Sequence, residues 1–185
     1  THGLARVPVY CERIAAGGID ARAVTGIEAV APAIRRIDGA DGLGPAVASI
    51  AVDACLDAAR EVGVGAAFVR RGSHLGALAP YLLQAAERGF AMIASTNTAP
   101  MIAPPGGREA RVGNTPIGIA LPGAHGRHLL LDMALSTVSR SRIRRAAEAG
   151  EAIPADWATD ADGHPTTDAS EALRGLVRAI GGDKG

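Results

Sequence analysis

The chain has 185 residues, with 19 basic and 19 acidic side chains, 48% hydrophobic and only 3% aromatic content. That length and composition describe one globular domain, alone or with an appendage, and exclude a disordered chain. Zero net charge leaves no basic field for nucleic acid or anionic lipid, and so few aromatics leave no base-stacking platform.

In chain order, "THGLARVPVY" comes first, with His2 and Arg6 four residues apart. On a helix they share one face, before Pro8 interrupts the pattern. An imidazole beside a guanidinium suits an anionic substrate that needs a carboxylate grip and a proton donor; the same spacing also occurs on solvated faces. Cys11 and Cys55 have neither disulfide nor metal spacing and are expected as small core residues in a reducing compartment. "RRIDGAD" carries no clear strand signal. From Pro45 to Val62, apolar residues recur at helical spacing, with proline suited to the first turn and Gly63 to the stop.

"GLGPAV" (42–47) is the nearest approach to a dinucleotide fingerprint. Its third small position is Val47 and no strand is evident before it, so the reading is a loop that feeds a helix. "VGAAFV" (64–69) reads as a buried strand, "ALAPYLLQAAERG" as a helix closed by Gly89, and "FAMIAS" (90–95) as a strand, together compatible with a crossover unit. Between the first two, "VRRGSHLGAL" sets His74 in a glycine-framed turn, a place that suits reaching a ligand rather than packing. "GSHLG" has hydrolase-elbow spacing, but its centre is His74 and Ser73 is off the apex, which leaves a serine hydrolase as a weak rival.

About twenty residues rich in Pro, Gly, Asn and Thr follow, "TNTAPMIAPPGGREARVGNTP", a loop of functional length. "IGIAL" (117–121) and "LLLD" (129–132) read as strands around a turn holding His125 and His128, which lack the further ligands a metal site needs. Asp132, at a strand end before "MALS", is either a site carboxylate or a helix N-cap. A helix over 136–150 opens on serine and carries a basic face, and a short capped helix starts near Asp168 or Ser170. Lys184, between glycines, is a phosphate-binding lysine or an ordinary tail residue. The class is mixed α/β, with no apolar run long enough for a membrane span and no visible signal peptide.

Taken together, "THGLARVPVY", "VRRGSHLGAL", "STNTAPMIAPPGG", "VGNTPIGIALP", "LLLDMALS", "IPADWATDADGHPTTDASEALRG" and "IGGDKG" resemble, in order and spacing, the malate/L-lactate dehydrogenase family of NAD(P)-dependent oxidoreductases. That family includes ureidoglycolate, sulfolactate and diketogulonate enzymes and cyclic-imine reductases. The resemblance implies a non-Rossmann α/β fold with a large mixed, mostly antiparallel sheet flanked by helices. It also implies a cytoplasmic homodimer that uses NAD or NADP on a small 2-hydroxy or 2-oxo acid. The alternatives are a cyclic-imine 2-carboxylate reductase of the same family and an inactive binding or assembly remnant.

By the same resemblance His74 and His2 are acid/base candidates, Arg6 grips the substrate carboxylate and Tyr10 lines that pocket. Thr98, Asp132, Met133, Ala134 and Lys184 match cofactor-contacting positions. Two departures, "GNTP" (113–116) for the family's "GTNP" and "PPGG" (104–107) for its "PWGG", fall in the long loop. Residues 1–185 are expected to be the central, cofactor-binding portion of a longer enzyme, inactive or poorly stable alone, with 1–40 the end of a helical, substrate-side segment.

Overall fold

The computed structural model describes residues 3–181, so His2 and Lys184 lie outside the described residues. The chain divides into two compact units, Thr1–Ile93 with Ile119–Leu131, and Ala94–Gly118 with Asp132–Gly185.

The first unit opens with a 3-10 turn, Leu4–Arg6, that leads into helix α1, Val7–Ala15. Pro8 does not interrupt a helix here. It starts one, in the first turn where its missing N–H has no partner to lose. Helix ends at Ala15, so the first forty residues are not helical throughout. Strands β1 (Gly26–Ala31) and β2 (Ile34–Gly42) form an antiparallel hairpin instead.

The unpromising stretch "RRIDGAD" is the body of β2. Its alternation is disguised by Arg35, which shares the inward face with fully buried Ile37. The Arg35 side chain is only 12% exposed, and its guanidinium donates to the carbonyls of Ala31, Pro32 and Ile34. A half-buried charge satisfied in this way is tolerable, but its identity hides the strand.

Helix α2, Gly44–Val62, has Pro45 in its first turn and ends on left-handed Gly63 (φ 85°), whose N–H bonds the Ala59 carbonyl. One side of it packs Val47, Ala51 and Ala54 on Ile37; another sets Val52 and Leu56 against Tyr81 and Ala85 of α3, Ala79–Ala86. Polar bonds reinforce this helix pair: Gln84 Nε2 donates to Asp53 at 2.8 Å, Arg88 pairs with the same carboxylate, and Ser49 Oγ donates to Gln84 at 3.1 Å. Strand β3, Ala66–Gly72, runs parallel to β2. The parallel crossover is therefore β2–α2–β3, one step earlier than the sequence pattern suggests. Strands β3 and β4 belong to different sheets.

The second sheet has the order β4-β5-β6, with β4 at Met92–Ser95, β5 at Ile117–Leu121 and β6 at Leu129–Met133. The second unit has its own core, in which Ile143 of α4 (Arg140–Ala149) and Ala172 of α5 (Ala169–Arg174) pack with Ile153, Ala158 and Val177. Ser136, the expected cap of α4, is buried and donates to the Val138 carbonyl, and the helix begins only at Arg140. Asp168 caps α5 as expected, accepting from the Ser170 and Glu171 N–H groups. The described residues form a mixed α/β fold built on two three-stranded sheets. No helix among the described residues is long and apolar enough to cross a membrane.

Candidate active site

Strands β2 and β3 both run into left-handed residues at their ends. Ala40 (φ 49°) and Asp41 (φ 60°) form a bulge at the end of β2, and Arg71 (φ 52°) is the last residue but one of β3. Such backbone is strained for residues with a Cβ and persists only where the surroundings hold it. Here they do: Arg71 bonds Asp41 at 2.8 Å and lies 3.5 Å from Asp38, which also accepts from Arg70 at 2.9 Å. The Ala40 N–H, and then Arg70 and Arg71, hold the Asp38 carboxyl below the usual carboxylate range against its partial desolvation.

The turn after β3 carries His74 and has no regular structure until α3. Side chains and close packing hold it instead. Ser73 Oγ accepts from the Gly44 N–H at 2.7 Å, and the Ser73 N–H reaches the Gly42 carbonyl at 3.4 Å. A Cβ on Gly44 would lie 2.4 Å from the Ser73 carbonyl oxygen and 2.5 Å from that of His74. Gly44, the first residue of α2, thus lets the histidine turn approach the start of the helix. Contrary to the sequence reading, a strand does precede "GLGPAV", yet the Gly44 amide that a phosphate would need is already bonded to Ser73.

Tyr10, on the first turn of α1, places its hydroxyl 2.8 Å from His74 Nδ1 and 3.4 Å from the His74 carbonyl oxygen, with ring centroids 5.9 Å apart. Arg6 is half-buried one helical turn earlier, at the N-cap of α1, on the side of the helix that carries Tyr10. From α3, Tyr81 donates to the Leu75 carbonyl at 2.6 Å. Burial pushes the Tyr81 hydroxyl up to about 12, with a smaller contribution from Tyr10, so it is a donor at any working pH. Two of the expected residues, Tyr10 and His74, are therefore in contact. For the hydrolase rival, the partner of Ser73 Oγ is the Gly44 N–H at the start of α2, a bond that seats the turn rather than one that activates a nucleophile.

In the second unit Thr98 Oγ1 donates to Asn114 Oδ1 at 2.9 Å, and the Asn114 carbonyl accepts from the Leu135 N–H at 2.8 Å. A Cβ on Gly113 would fall 2.3 Å from Thr98 Oγ1, so "GNTP" keeps its glycine where the two loop strands touch. A cleft of about 340 Å³ lies beside this contact, with Ile102, Pro104, Val112 and Leu176 as apolar walls and Thr115, Thr159 and Arg178 as polar points. Gly113 and Leu135 also border it. Asp132 and Met133 belong to β6 and Ala134 follows them. Asp132 caps no helix, since α4 starts eight residues later.

Sequence reasoning missed the roles of Ser73, Tyr81 and Asn114, all three of which act through backbone or amide groups that no spacing motif marks. It also placed Cys11 in the core, where the structure exposes it; Cys55 is half-buried, and burial pushes its thiol up. His128 Nδ1 accepts from the Gly123 N–H at 3.1 Å and His125 is exposed with left-handed backbone, so both serve or tolerate the turn. The described residues hold no group of three or more potential metal ligands.

A mixed α/β chain with a histidine turn seated on a parallel crossover, and without a Rossmann phosphate turn, defines a non-Rossmann class. Comparison makes the class definite: the profile of the malate/L-lactate dehydrogenase family matches residues 1–185, and the chain belongs to that family. It is 37% identical over its whole length to an L-sulfolactate dehydrogenase of Methanocaldococcus jannaschii, covering 54% of that protein. It is 34% identical, again over its whole length, to a Delta(1)-pyrroline-2-carboxylate reductase of Ancylobacter novellus, covering 54% of it. The crystal structure of delta1-piperideine-2-carboxylate reductase from Pseudomonas syringae matches 99% of this chain and 55% of its own, with a TM-score of 0.93 at 32% identity. The chain spans about half the length of the curated relatives it matches.

Proposed function

We propose that the protein is an NAD- or NADP-dependent oxidoreductase that transfers a hydride between the nicotinamide and a small 2-hydroxy/2-oxo acid, with His74 as the proton donor in reduction. The observation that carries this is the 2.8 Å contact between the Tyr10 hydroxyl and His74 Nδ1. When Tyr10 donates, the neutral ring bears its proton on Nε2; when the ring is charged, Nδ1–H donates to the tyrosine oxygen. Tyr10 thus holds the ring in one orientation in both protonation states, as general acid–base work demands.

A nicotinamide held by the proposed cofactor contacts would supply the hydride for the carbonyl carbon. The electron pair left on oxygen takes a proton from the His74 imidazolium, and the ring returns to its neutral form. Arg6, one turn from Tyr10, grips the substrate carboxylate and aims the carbonyl. His2 is a second acid/base candidate on the same segment. Thr98, Asp132, Met133, Ala134 and Lys184 are the proposed cofactor contacts. In support, the 340 Å³ cleft is bordered by residues adjoining two of these groups, and its apolar walls with few polar points are the usual lining of a small-molecule site.

A second reading, reduction of a cyclic imine 2-carboxylate, is favoured by the relatives that carry that name. The same parts serve: carboxylate on Arg6, hydride to the C=N carbon, proton to nitrogen. Residues 1–185 would be the central, cofactor-binding portion of the enzyme, with 1–40 on the substrate side, working as a cytoplasmic homodimer. The whole enzyme, assayed with 2-oxo acids and cyclic imine carboxylates and both NADH and NADPH, should oxidise a nicotinamide with at least one substrate. Absence of nicotinamide binding in a fluorescence titration would leave the inactive remnant as the better reading.

A further inference from the structure

We infer that Tyr81 and Ser73 are positioning residues for His74, a two-point clamp that fixes the catalytic turn from either side of the histidine. This rests on the reading of His74 as the proton donor.

The turn has no ladder or helix of its own, so its backbone would drift if nothing outside it supplied partners. One partner precedes the histidine: Ser73 Oγ receives the Gly44 N–H at 2.7 Å, at the start of a nineteen-residue helix. The other follows it: the Tyr81 hydroxyl donates to the Leu75 carbonyl at 2.6 Å. Tyr81 is 8% exposed and packs with Val52, Leu56 and Ala85, so the donor is anchored in the α2–α3 core. The clamp therefore joins the histidine turn to the start of α2 and to the α2–α3 core. The catalytic pair depends on that join, because the Tyr10 hydroxyl meets both Nδ1 and the carbonyl of His74. A shift of the turn would lengthen both contacts together.

Neither clamp residue touches the reacting atoms, and the ordinary alternative is that both merely stabilise the fold. The test separates the two in the whole enzyme, with Tyr81→Phe, which keeps the ring and removes the donor, and Ser73→Ala. Ring-nitrogen NMR of ¹⁵N-histidine protein, at one fixed pH above neutrality, reads the His74 tautomer directly and needs no substrate. The expected result is a single Nε2–H tautomer in the parent and a mixture of tautomers in each variant. In turnover, kcat should fall roughly ten- to hundredfold, the range for a misplacement of about 1 Å, with little change in KM. Replacing Tyr81 by 4-aminophenylalanine, which restores a donor, should recover most of the loss. A folded variant with unchanged His74 signals and unchanged kcat overturns the clamp for that residue, and Ser73→Ala decides it if Tyr81→Phe does not fold. If the parent enzyme turns over none of the substrates, the proposed function fails, and the NMR result still decides the clamp.

Discussion

One hydroxyl, that of Tyr10, meets His74 Nδ1 at 2.8 Å. Tyr10→Phe should leave the melt nearly unchanged and lower kcat/KM about ten- to hundredfold, the size expected for a hydrogen bond to a group that becomes charged. Steady-state kinetics against thermal melting checks it; an unchanged kcat/KM removes Tyr10 from the mechanism. Tyr81 tests the electrostatics of the same corner. Its hydroxyl is raised from 10.0 to about 12, so the folded state disfavours the phenolate. The stability this represents is fully present below the ordinary tyrosine value and is lost as pH climbs from there to about 12. Ultraviolet absorbance of phenolate, followed with pH beside the fold's circular dichroism, should show Tyr81 ionising late and together with unfolding. Ionisation at the ordinary value in an intact fold would contradict its burial.

Among elements, the crossover β2–α2–β3 decides where His74 sits, and its tightest point is Gly44. Gly44→Ala puts a methyl 2.4–2.5 Å from two carbonyl oxygens of the histidine turn, which are backbone and yield only if the turn moves. Destabilisation of about 1–3 kcal/mol, as for other overpacked sites, should come with a loss of turnover larger than the loss of folded protein explains. A denaturant melt with kinetics on the same sample measures both; a neutral substitution would mean the turn is not seated on the helix. For comparison, Leu82→Ala in the fully buried face of α3 should cost about 2–5 kcal/mol.

The sequence made the helix of 45–62, the strands around 66 and 117, the Asp168 cap and the His74 turn legible, because each has a local signature in spacing, proline or glycine. It hid β2, since Arg35 stands on the inward face beside Ile37, where backbone carbonyls satisfy its charge. It also moved the crossover by one strand, because parallel pairing is a long-range choice that apolar runs do not encode. The site was half legible. Histidine and tyrosine stand in recognisable motifs, but Ser73 and Tyr81 bond backbone groups whose positions only the fold supplies.

At the scale of the whole molecule, each unit carries its own apolar core, one around Ile37 and Leu56, the other around Ile143 and Val177. Both units lie within the match to the malate/L-lactate dehydrogenase family, whose members similar to this chain include an L-sulfolactate dehydrogenase and a Delta(1)-pyrroline-2-carboxylate reductase. The central claim is that His74 delivers the proton while a nicotinamide delivers the hydride, and His74→Asn in the whole enzyme tests it most directly. Nicotinamide oxidation is followed with a panel of 2-oxo acids and cyclic imine carboxylates, beside a fluorescence titration of NADH and NADPH binding. The account predicts cofactor binding close to the parent's and a fall in kcat of roughly 10²–10⁴-fold, as for loss of a general acid. A variant that binds cofactor and turns substrate over at the parent's rate would contradict it.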